Sequence, residues 1–272
     1  MSNRRHIPRL ALAGIAALLA ACRVQALPSV DVPRCTVAPL LTASPGDPAW
    51  KNAGRIESLP LMRGPRSAGQ EPTTTHVLLL WDDARLYVRF VCDDRDIVVS
   101  RPGKPLFSGD TVEFFIDPVG DAREFVELQI NPDNARTQYI HLITAPVVAS
   151  DDDGVLCKAI MQRDDWTFTE DGMPGLVTAT NRVATAVDGE GWLADIAVPA
   201  APLLRRLEGT HFAPMALRMN FVRYNCFHGA APVAMAWSPV VWGRPHRSPQ
   251  RMGTLRLVAS DIDKDSKAED KQ

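Results

Sequence analysis

The stretch PLFSGDTVEFFIDP, residues 105–118, places carboxyl side chains inside a run that is otherwise as apolar as a buried strand. Counting in twos puts Val112, Phe114 and Ile116 on one face and Glu113 and Asp117 on the other. The first set suits a protein core. The second set must serve another purpose, and contact with a polar ligand is one.

The run FVELQIN, residues 125–131, repeats the same alternation. If DPVGDAR forms the turn of a hairpin between the two runs, their polar side chains share one face. That face then carries Glu113, Asp117, Glu127, Gln129 and Asn131. Carboxylates and amides on one sheet surface can bind the hydroxyl groups of a polyol.

Glu113 and Glu127 also raise the possibility of catalysis, because glycoside hydrolysis uses two carboxyl groups about 5 to 10 Å apart. Carboxyl groups on neighbouring strands are nevertheless a generic arrangement. The sequence contains no G-x-S-x-G, H-E-x-x-H, Walker A or dinucleotide glycine motif. We therefore predict a protein that is not an enzyme.

The elements that position these residues are strands. From His76 onward, runs rich in β-branched and aromatic residues alternate in twos between Gly, Pro, Asp and Asn signals: HVLLLW, ARLYVRFVC, TVEFFID, EFVELQIN, TQYIHLI, GLVTATNRVATAV, GWLADIAVP, ALRMNFVRYN and GTLRLV. Only APLLRRLEG looks helical. The pattern predicts an all-β fold, an antiparallel β-sandwich of jelly-roll type with long loops and little helix.

The predicted sandwich is one domain, residues 38–259. A linker, residues 27–37, precedes it, and a charged, disordered tail, residues 260–272, follows it. The formal net charge is −2 and the pI is near 6.3. These values do not indicate a nucleic-acid partner.

Residues 1–26 have the form of a secretory signal, with Arg4, Arg5 and Arg9 before the apolar run LALAGIAALLAA. That run is too short to cross a bilayer as a helix. The sequence Leu19-Ala20-Ala21-Cys22 resembles a bacterial lipobox, which predicts lipidation of Cys22 and a lipoprotein of the outer membrane. Cleavage after Ala26, giving a periplasmic protein, is the alternative.

The chain has five cysteines, and four remain when Cys22 is set aside: Cys35, Cys92, Cys157 and Cys226. Export permits disulfides, and four cysteines allow three full pairings. The sequence cannot choose among them. Buried free thiols for Cys92 and Cys226 are an equally good interpretation.

Taken in order, several segments resemble the family 9 carbohydrate-binding module, a member of the DOMON-like β-sandwich group. The segments are GDPAW with Trp50, VLLLWDDARLYVRFVCDD, PLFSGDTVEFFIDP, FVELQINP, GWLADIAVP, LRMNFVR, AWSP and HRSPQRMGTLRL. The resemblance implies a sandwich that binds a poly- or oligosaccharide without turning it over. In that family the sugar is often held between two stacked tryptophan rings.

The resemblance also implies a site. Glu113 matches a family position that hydrogen-bonds sugar hydroxyls, and Phe107 stands where the first stacking tryptophan falls. His246 stands near the second, and Gln129 replaces a family arginine. Trp166, Trp237 and Trp242 are possible substitute platforms. Lesser candidates for ligand contact are Gln129, Asn131, Arg218 and Asn220, and an ion pair from Arg218 to Glu113 is the alternative for Arg218.

Two other functions stay open. Some DOMON-like domains hold haem b, for which His246, Met252, Met235 and Met219 are conceivable ligands. The third possibility is a scaffold that binds a partner and has lost its ligand. No cofactor is predicted, although Asp151-Asp152-Asp153-Gly154 could bind a structural calcium ion.

Overall fold

We describe the fold from a computed structural model, which covers residues 26–63, 69–151, 154–163, 172–184, 189–240 and 245–259. For residues 144–151 and 154–163 only the backbone is described. Several predicted features lie outside the described residues: the signal segment with Cys22, the tail 260–272, Trp166, Trp242, and the pair Asp152 and Asp153. The side chain of Cys157 is also outside them.

The fold is all-β with little helix, as predicted. The strands are β1 (Ser29–Pro33), β2 (Gly54–Ile56), β3 (Thr75–Trp81), β4 (Arg85–Asp93), β5 (Thr111–Asp117), β6 (Glu124–Ile130), β7 (Arg136–Asp151), β8 (Gly154–Arg163), β9 (Val177–Val183), β10 (Gly191–Pro199), β11 (Ala216–Phe227), β12 (Ala230–Ala236) and β13 (Gly253–Val258). The predicted helical segment forms one turn, α1 (Ala200–Leu203), and a 3-10 helix, Arg205–Leu207.

The strands form two sheets. The larger has eight strands in the order β1, β13, β11, β5, β6, β7, β8, with β12 also paired to β11. The smaller has five strands in the order β2, β3, β4, β10, β9. All neighbouring strands are antiparallel except β1 and β13, which are parallel. The predicted β-sandwich is therefore confirmed.

The main core lies between the two sheets and follows the predicted alternation. Val112, Phe114 and Ile116 of β5 face it, as do Val126, Leu128 and Ile130 of β6. Phe221 of β11 is fully buried there, with its ring centroid 5.9 Å from that of Phe90 and 5.8 Å from that of Trp237. Trp81 and Trp192 are also in this core.

The N-terminal segment differs from the prediction. Residues 27–37 were expected to form a linker, but Ser29–Pro33 form β1 and extend the larger sheet beside β13. Val32 is buried in the main core. The sandwich therefore begins before residue 38. Proline-spaced sequence is compatible with an edge strand, where an absent N–H costs no ladder hydrogen bond.

The outer face of the smaller sheet is covered by the chain that precedes β2. Arg89 of β4 and Asp195 of β10 form a buried ion pair there, 2% and 0% exposed, with N–O distances of 2.6 and 2.8 Å. The Ala43 amide donates to the same carboxylate at 2.8 Å, and the Arg89 guanidinium lies 4.7 Å from the Trp50 ring centroid. This ion pair attaches the covering segment to the sheet.

Cys35, Cys92 and Cys226 are free thiols. Burial raises the pKa of Cys226 to about 11 and that of Cys92 to about 12.

Among the described residues, no helix has the length and apolar character needed to cross a membrane.

Candidate functional site

The polar side chains predicted to share a face lie on the outer side of the larger sheet, where β5 and β6 form the expected hairpin. Glu113 is directly opposite Gln129, and Phe115 is opposite Glu127. Because opposed residues of antiparallel strands share a face, Glu113, Glu127 and Gln129 lie together. We call this surface the polar face. All three side chains are only 3–4% exposed.

A hydrogen-bond network crosses the polar face from β6 to β7. The Gln129 amide donates from Nε2 to Oε1 of Glu127 at 2.5 Å. The other Glu127 oxygen, Oε2, is 2.6 Å from Nε2 of His141 on β7. Since a carboxylate only accepts hydrogen bonds, Nε2 of His141 is the protonated nitrogen. Both Glu127 oxygens are therefore occupied by side-chain donors.

His246 lies over this network. It belongs to the 3-10 helix Pro245–Arg247, and its ring stacks on that of His141 with centroids 5.2 Å apart and planes within 5°. The His141 ring also stacks on that of Phe125, with centroids 4.8 Å apart. Sequence similarity alone suggested His246, and the structure brings it to the strands that carry Glu127 and Gln129. We call His141 and His246 the histidine pair.

Phe107 lies at the opposite side of the polar face. It sits in the 3-10 helix Leu106–Ser108 just before β5 and is 39% exposed. Its ring centroid is 6.3 Å from that of Tyr224. Tyr224 on β11 is opposite Thr111, two residues before Glu113. We call Phe107 and Tyr224 the phenyl pair.

The two ring pairs flank the polar groups. In the sheet order β11, β5, β6, β7, Tyr224 is on the first strand and His141 is on the last. The strands between them carry Glu113 and Gln129. The arrangement places a buried polar floor between aromatic walls, which can satisfy the hydroxyl groups and the C–H faces of one ligand at once.

Asp117 and Asn131, which the sequence also placed on this face, form hydrogen bonds with backbone amides of turns. The Asp117 carboxylate accepts hydrogen bonds from the amides of Val119, Gly120 and Ala122 at 2.7–3.1 Å. Oδ1 of Asn131 accepts from the amides of Asp133 and Ala135. These contacts close the β5–β6 and β6–β7 turns.

Arg218 and Asn220 anchor the loop that carries His246. The Asn220 side chain exchanges two hydrogen bonds of 2.9 Å with the Ser238 backbone. The Arg218 guanidinium donates to the carbonyl oxygens of Met252 and Gln250. Arg218 is opposite Asp117, four residues along β5 from Glu113 and thus about 13 Å away along the strand. The alternative of an Arg218–Glu113 ion pair is therefore wrong.

Three aromatic side chains at the polar face were not predicted from the sequence: Tyr139, His141 and Tyr224. Thr137, Tyr139 and His141 share one parity in TQYIHLI, and the register places them opposite Gln129, Glu127 and Phe125. The alternation of this third strand puts Tyr139 and His141 on one face, and its pairing with β6 brings that face beside Glu127. Tyr139 is half-buried, with its ring centroid 6.0 Å from that of His141.

The haem ligands that the sequence suggested lie on different sides of the larger sheet. Met219 and Met235 lie in the main core, whereas Met252 and His246 lie outside the larger sheet. Met219 and Met235 therefore cannot ligate the same haem iron as His246. Within the part of the chain that is described, no group of three or more His, Cys, Asp or Glu side chains could hold a metal ion.

A second recess, of about 410 Å³, lies on the outer face of the smaller sheet. Trp50, Lys51, His76 and Arg89 are among its lining residues. The chain itself already uses its main polar groups. Asp195 and the Ser44 carbonyl accept from Arg89, and both oxygens of Asp47 accept backbone amides. None of the predicted site residues is among the residues that line this recess, whereas Glu113 and Gln129 lie on the polar face.

Comparison with known families finds one match over most of the chain. The model of the family described as "Carbohydrate family 9 binding domain-like" matches residues 43–260. Among curated proteins, none matches significantly.

Solved structures with similar folds include sugar complexes. A family 9 carbohydrate-binding module from Caldicellulosiruptor kristjanssonii, solved with cellotriose, is 16% identical with a TM-score of 0.57, covering 86% of this chain and 96% of that one. The same organism's module solved with glucose has a TM-score of 0.56 at 16% identity, with 85% and 97% coverage. A protein from Bacteroides uniformis assigned as carbohydrate-binding has a TM-score of 0.60 at 16% identity, with 86% and 100% coverage.

Proposed function

Since the chain belongs to the carbohydrate family 9 binding domain-like family, we propose that it binds a poly- or oligosaccharide on the polar face of its larger sheet. The family consists of binding domains, and the protein is accordingly not an enzyme. The observation that carries the proposal is the placement of Glu113 and Gln129 between the phenyl pair and the histidine pair.

The chemistry of these groups suits a sugar. A pyranose ring presents apolar C–H faces, which stack on aromatic rings, and hydroxyl groups, which need donors and acceptors. Glu113 and Gln129 supply such groups between the rings. Phenyl and imidazole rings offer less stacking area than indole. We therefore expect dissociation constants on the order of micromolar to millimolar.

Phe107→Ala tests the site directly. We expect it to abolish sugar binding and to leave the melting temperature nearly unchanged, because the Phe107 side chain is 39% exposed and contributes little to the core. The measurement is isothermal titration calorimetry with glucose and cellotriose, preceded by a glycan array on the purified domain. Thermal denaturation followed by circular dichroism reports on folding.

Leu207→Ala is the matched control. Leu207 is 44% exposed and, like Phe107, belongs to a three-residue 3-10 helix. It should leave both sugar binding and the melting temperature unchanged. A Phe107→Ala protein that unfolds would show that Phe107 is a structural residue. A wild-type protein that binds no glycan would favour the scaffold alternative.

We further propose that the protein is exported and anchored by a lipid on Cys22, with the sugar-binding domain held at the outer membrane. The support is sequence only: basic residues, an apolar run and Leu19-Ala20-Ala21-Cys22. Mass spectrometry of the mature N-terminus should show a diacylglyceryl-modified Cys22. A mature chain that begins at Leu27 without lipid would instead indicate a periplasmic protein.

A further inference from the structure

We propose that Glu127 and His141 are positioning residues for the sugar site: they fix the plane of the His246 ring, against which the sugar packs. The inference rests on the proposed function and adds two residues to it. The sequence placed Glu127 on the polar face as a possible partner of sugar hydroxyl groups and did not suggest His141. Their role follows from the hydrogen bonds and ring contacts of β6, β7 and the loop before β13.

His246 needs external support because its backbone provides little. It belongs to a three-residue 3-10 helix in a loop, outside the strand ladders of either sheet. Arg218 and Asn220 fasten the loop on either side, at residues 238 and 250–252. Those contacts place the loop but do not set the rotation of the imidazole ring. The ring of His141 stacks on that of His246 with planes within 5°, and this contact restrains that rotation.

His141 is itself immobilised. Its side chain is fully buried, Phe125 covers one ring face, and its Nε2 donates to Glu127 at 2.6 Å. Glu127 is held in turn by the Gln129 amide. The plane of the His246 ring is thus linked through His141 and Glu127 to β6.

Packing alone does not explain a Glu–His pair at this place. The side chains nearby on the same face form an apolar cluster that includes Phe115, Phe125, Val222 and Met252. A buried carboxylate or imidazole costs free energy of desolvation, and well-packed apolar residues usually serve stability as well or better. Glu127 and His141 are buried and hydrogen-bonded to each other, and the His141 ring stacks on the half-buried ring of His246. Support of the His246 ring therefore explains the pair better than packing does.

A double-mutant cycle tests whether Glu127 acts through His246. The probe is cellotriose, or the strongest binder on the glycan array if cellotriose is not bound, with affinities measured by calorimetry. We expect Glu127→Gln to weaken binding about three- to tenfold and His246→Ala to weaken it about tenfold or more. In the His246→Ala background, Glu127→Gln should have no further effect.

A second readout needs no sugar. The ¹H–¹³C resonances of the His246 imidazole should shift in Glu127→Gln and in His141→Phe, because the ring current of residue 141 and the ring orientation change. Backbone amide resonances of the smaller sheet should stay in place. Glu57→Gln is the control: this exposed carboxylate pairs with Arg55 and should change neither affinity nor the His246 resonances.

The outcomes separate the two proposals. Suppose that the wild-type protein binds sugar, that Phe107→Ala abolishes binding, and that the effects of Glu127→Gln and His246→Ala are additive. Only the positioning role would then be overturned. Unchanged His246 resonances in both variants would do the same. If wild-type protein binds no glycan, the proposed function fails and the positioning role falls with it. If His141→Phe does not fold, Glu127→Gln alone decides.

Discussion

Asp195→Ala is expected to destabilise the protein by about 3–5 kcal/mol, the largest effect that we anticipate from a single charged residue. The substitution leaves the Arg89 guanidinium buried, 2% exposed, without its carboxylate partner. It also removes the acceptor of the Ala43 amide, which attaches the covering segment to the smaller sheet. Urea denaturation followed by tryptophan fluorescence measures the loss.

Two variants define the interpretation of this result. Asp133→Ala removes an ion pair with Arg182 whose side chains are more than half exposed, so it should cost about 0–1 kcal/mol. Replacing Arg89 and Asp195 together by Met and Leu should cost less than Asp195→Ala alone, because no buried charge is then left unpaired. Equal losses for Asp133→Ala and Asp195→Ala would contradict the prediction.

Phe221→Ala is expected to cost about 3–5 kcal/mol, because it removes a fully buried ring and leaves a cavity that the sandwich cannot fill. The ring packs against Phe90 of β4 in the smaller sheet and against Trp237, which directly follows β12 of the larger sheet. Differential scanning calorimetry should show a clear fall in melting temperature.

Phe107→Ala is the natural comparison, since the chemical change is identical and only the burial differs. It should leave the melting temperature nearly unchanged. If the two substitutions destabilise the protein to a similar degree, the assignment of Phe221 to the core and of Phe107 to a binding surface cannot both hold. Sugar binding by the Phe221→Ala protein, measured below its melting temperature, should be retained.

The strands of the site could be predicted because their alternation is strict. Val112, Phe114 and Ile116 had to face a core, which placed Glu113 on the other side. The turn segment between the two runs then implied a hairpin, and the observed register pairs Glu113 with Gln129. Parity and a short turn were enough to bring two distant polar residues together.

Parity could not show which polar side chains of this face are engaged by backbone groups of the protein. Asp117 and Asn131 share the parity of Glu113 and Gln129, but they stand where strands end, so backbone amides of the turns reach them first. Arg218 and Asn220 likewise lie on this face, and their side chains form hydrogen bonds with the backbone on either side of His246. Such roles depend on which backbone groups lie nearby, and a single sequence does not contain that information.

The pairing of strands that are distant in sequence could not be predicted either. His141 joins the site only because β7 pairs with β6 in one register, and His246 reaches it only because a loop folds back over the sheet. The strand character of Ser29–Pro33 depends on β13, more than two hundred residues later. A short segment with two prolines nearby has no strong local preference for a strand, so its partner decides its structure.

The parallel pairing of β1 with β13 determines how the domain would respond to a pulling force. Ser29 lies beside Thr254 and Pro33 beside Val258, so the chain enters the pair at one end and leaves at the other, about 13 Å away. Tension between an N-terminal attachment and a load at the C-terminus would act along both strands in opposite directions. The hydrogen bonds of the pair would then be strained together, in shear, whereas an antiparallel pair of terminal strands would be unzipped one bond at a time.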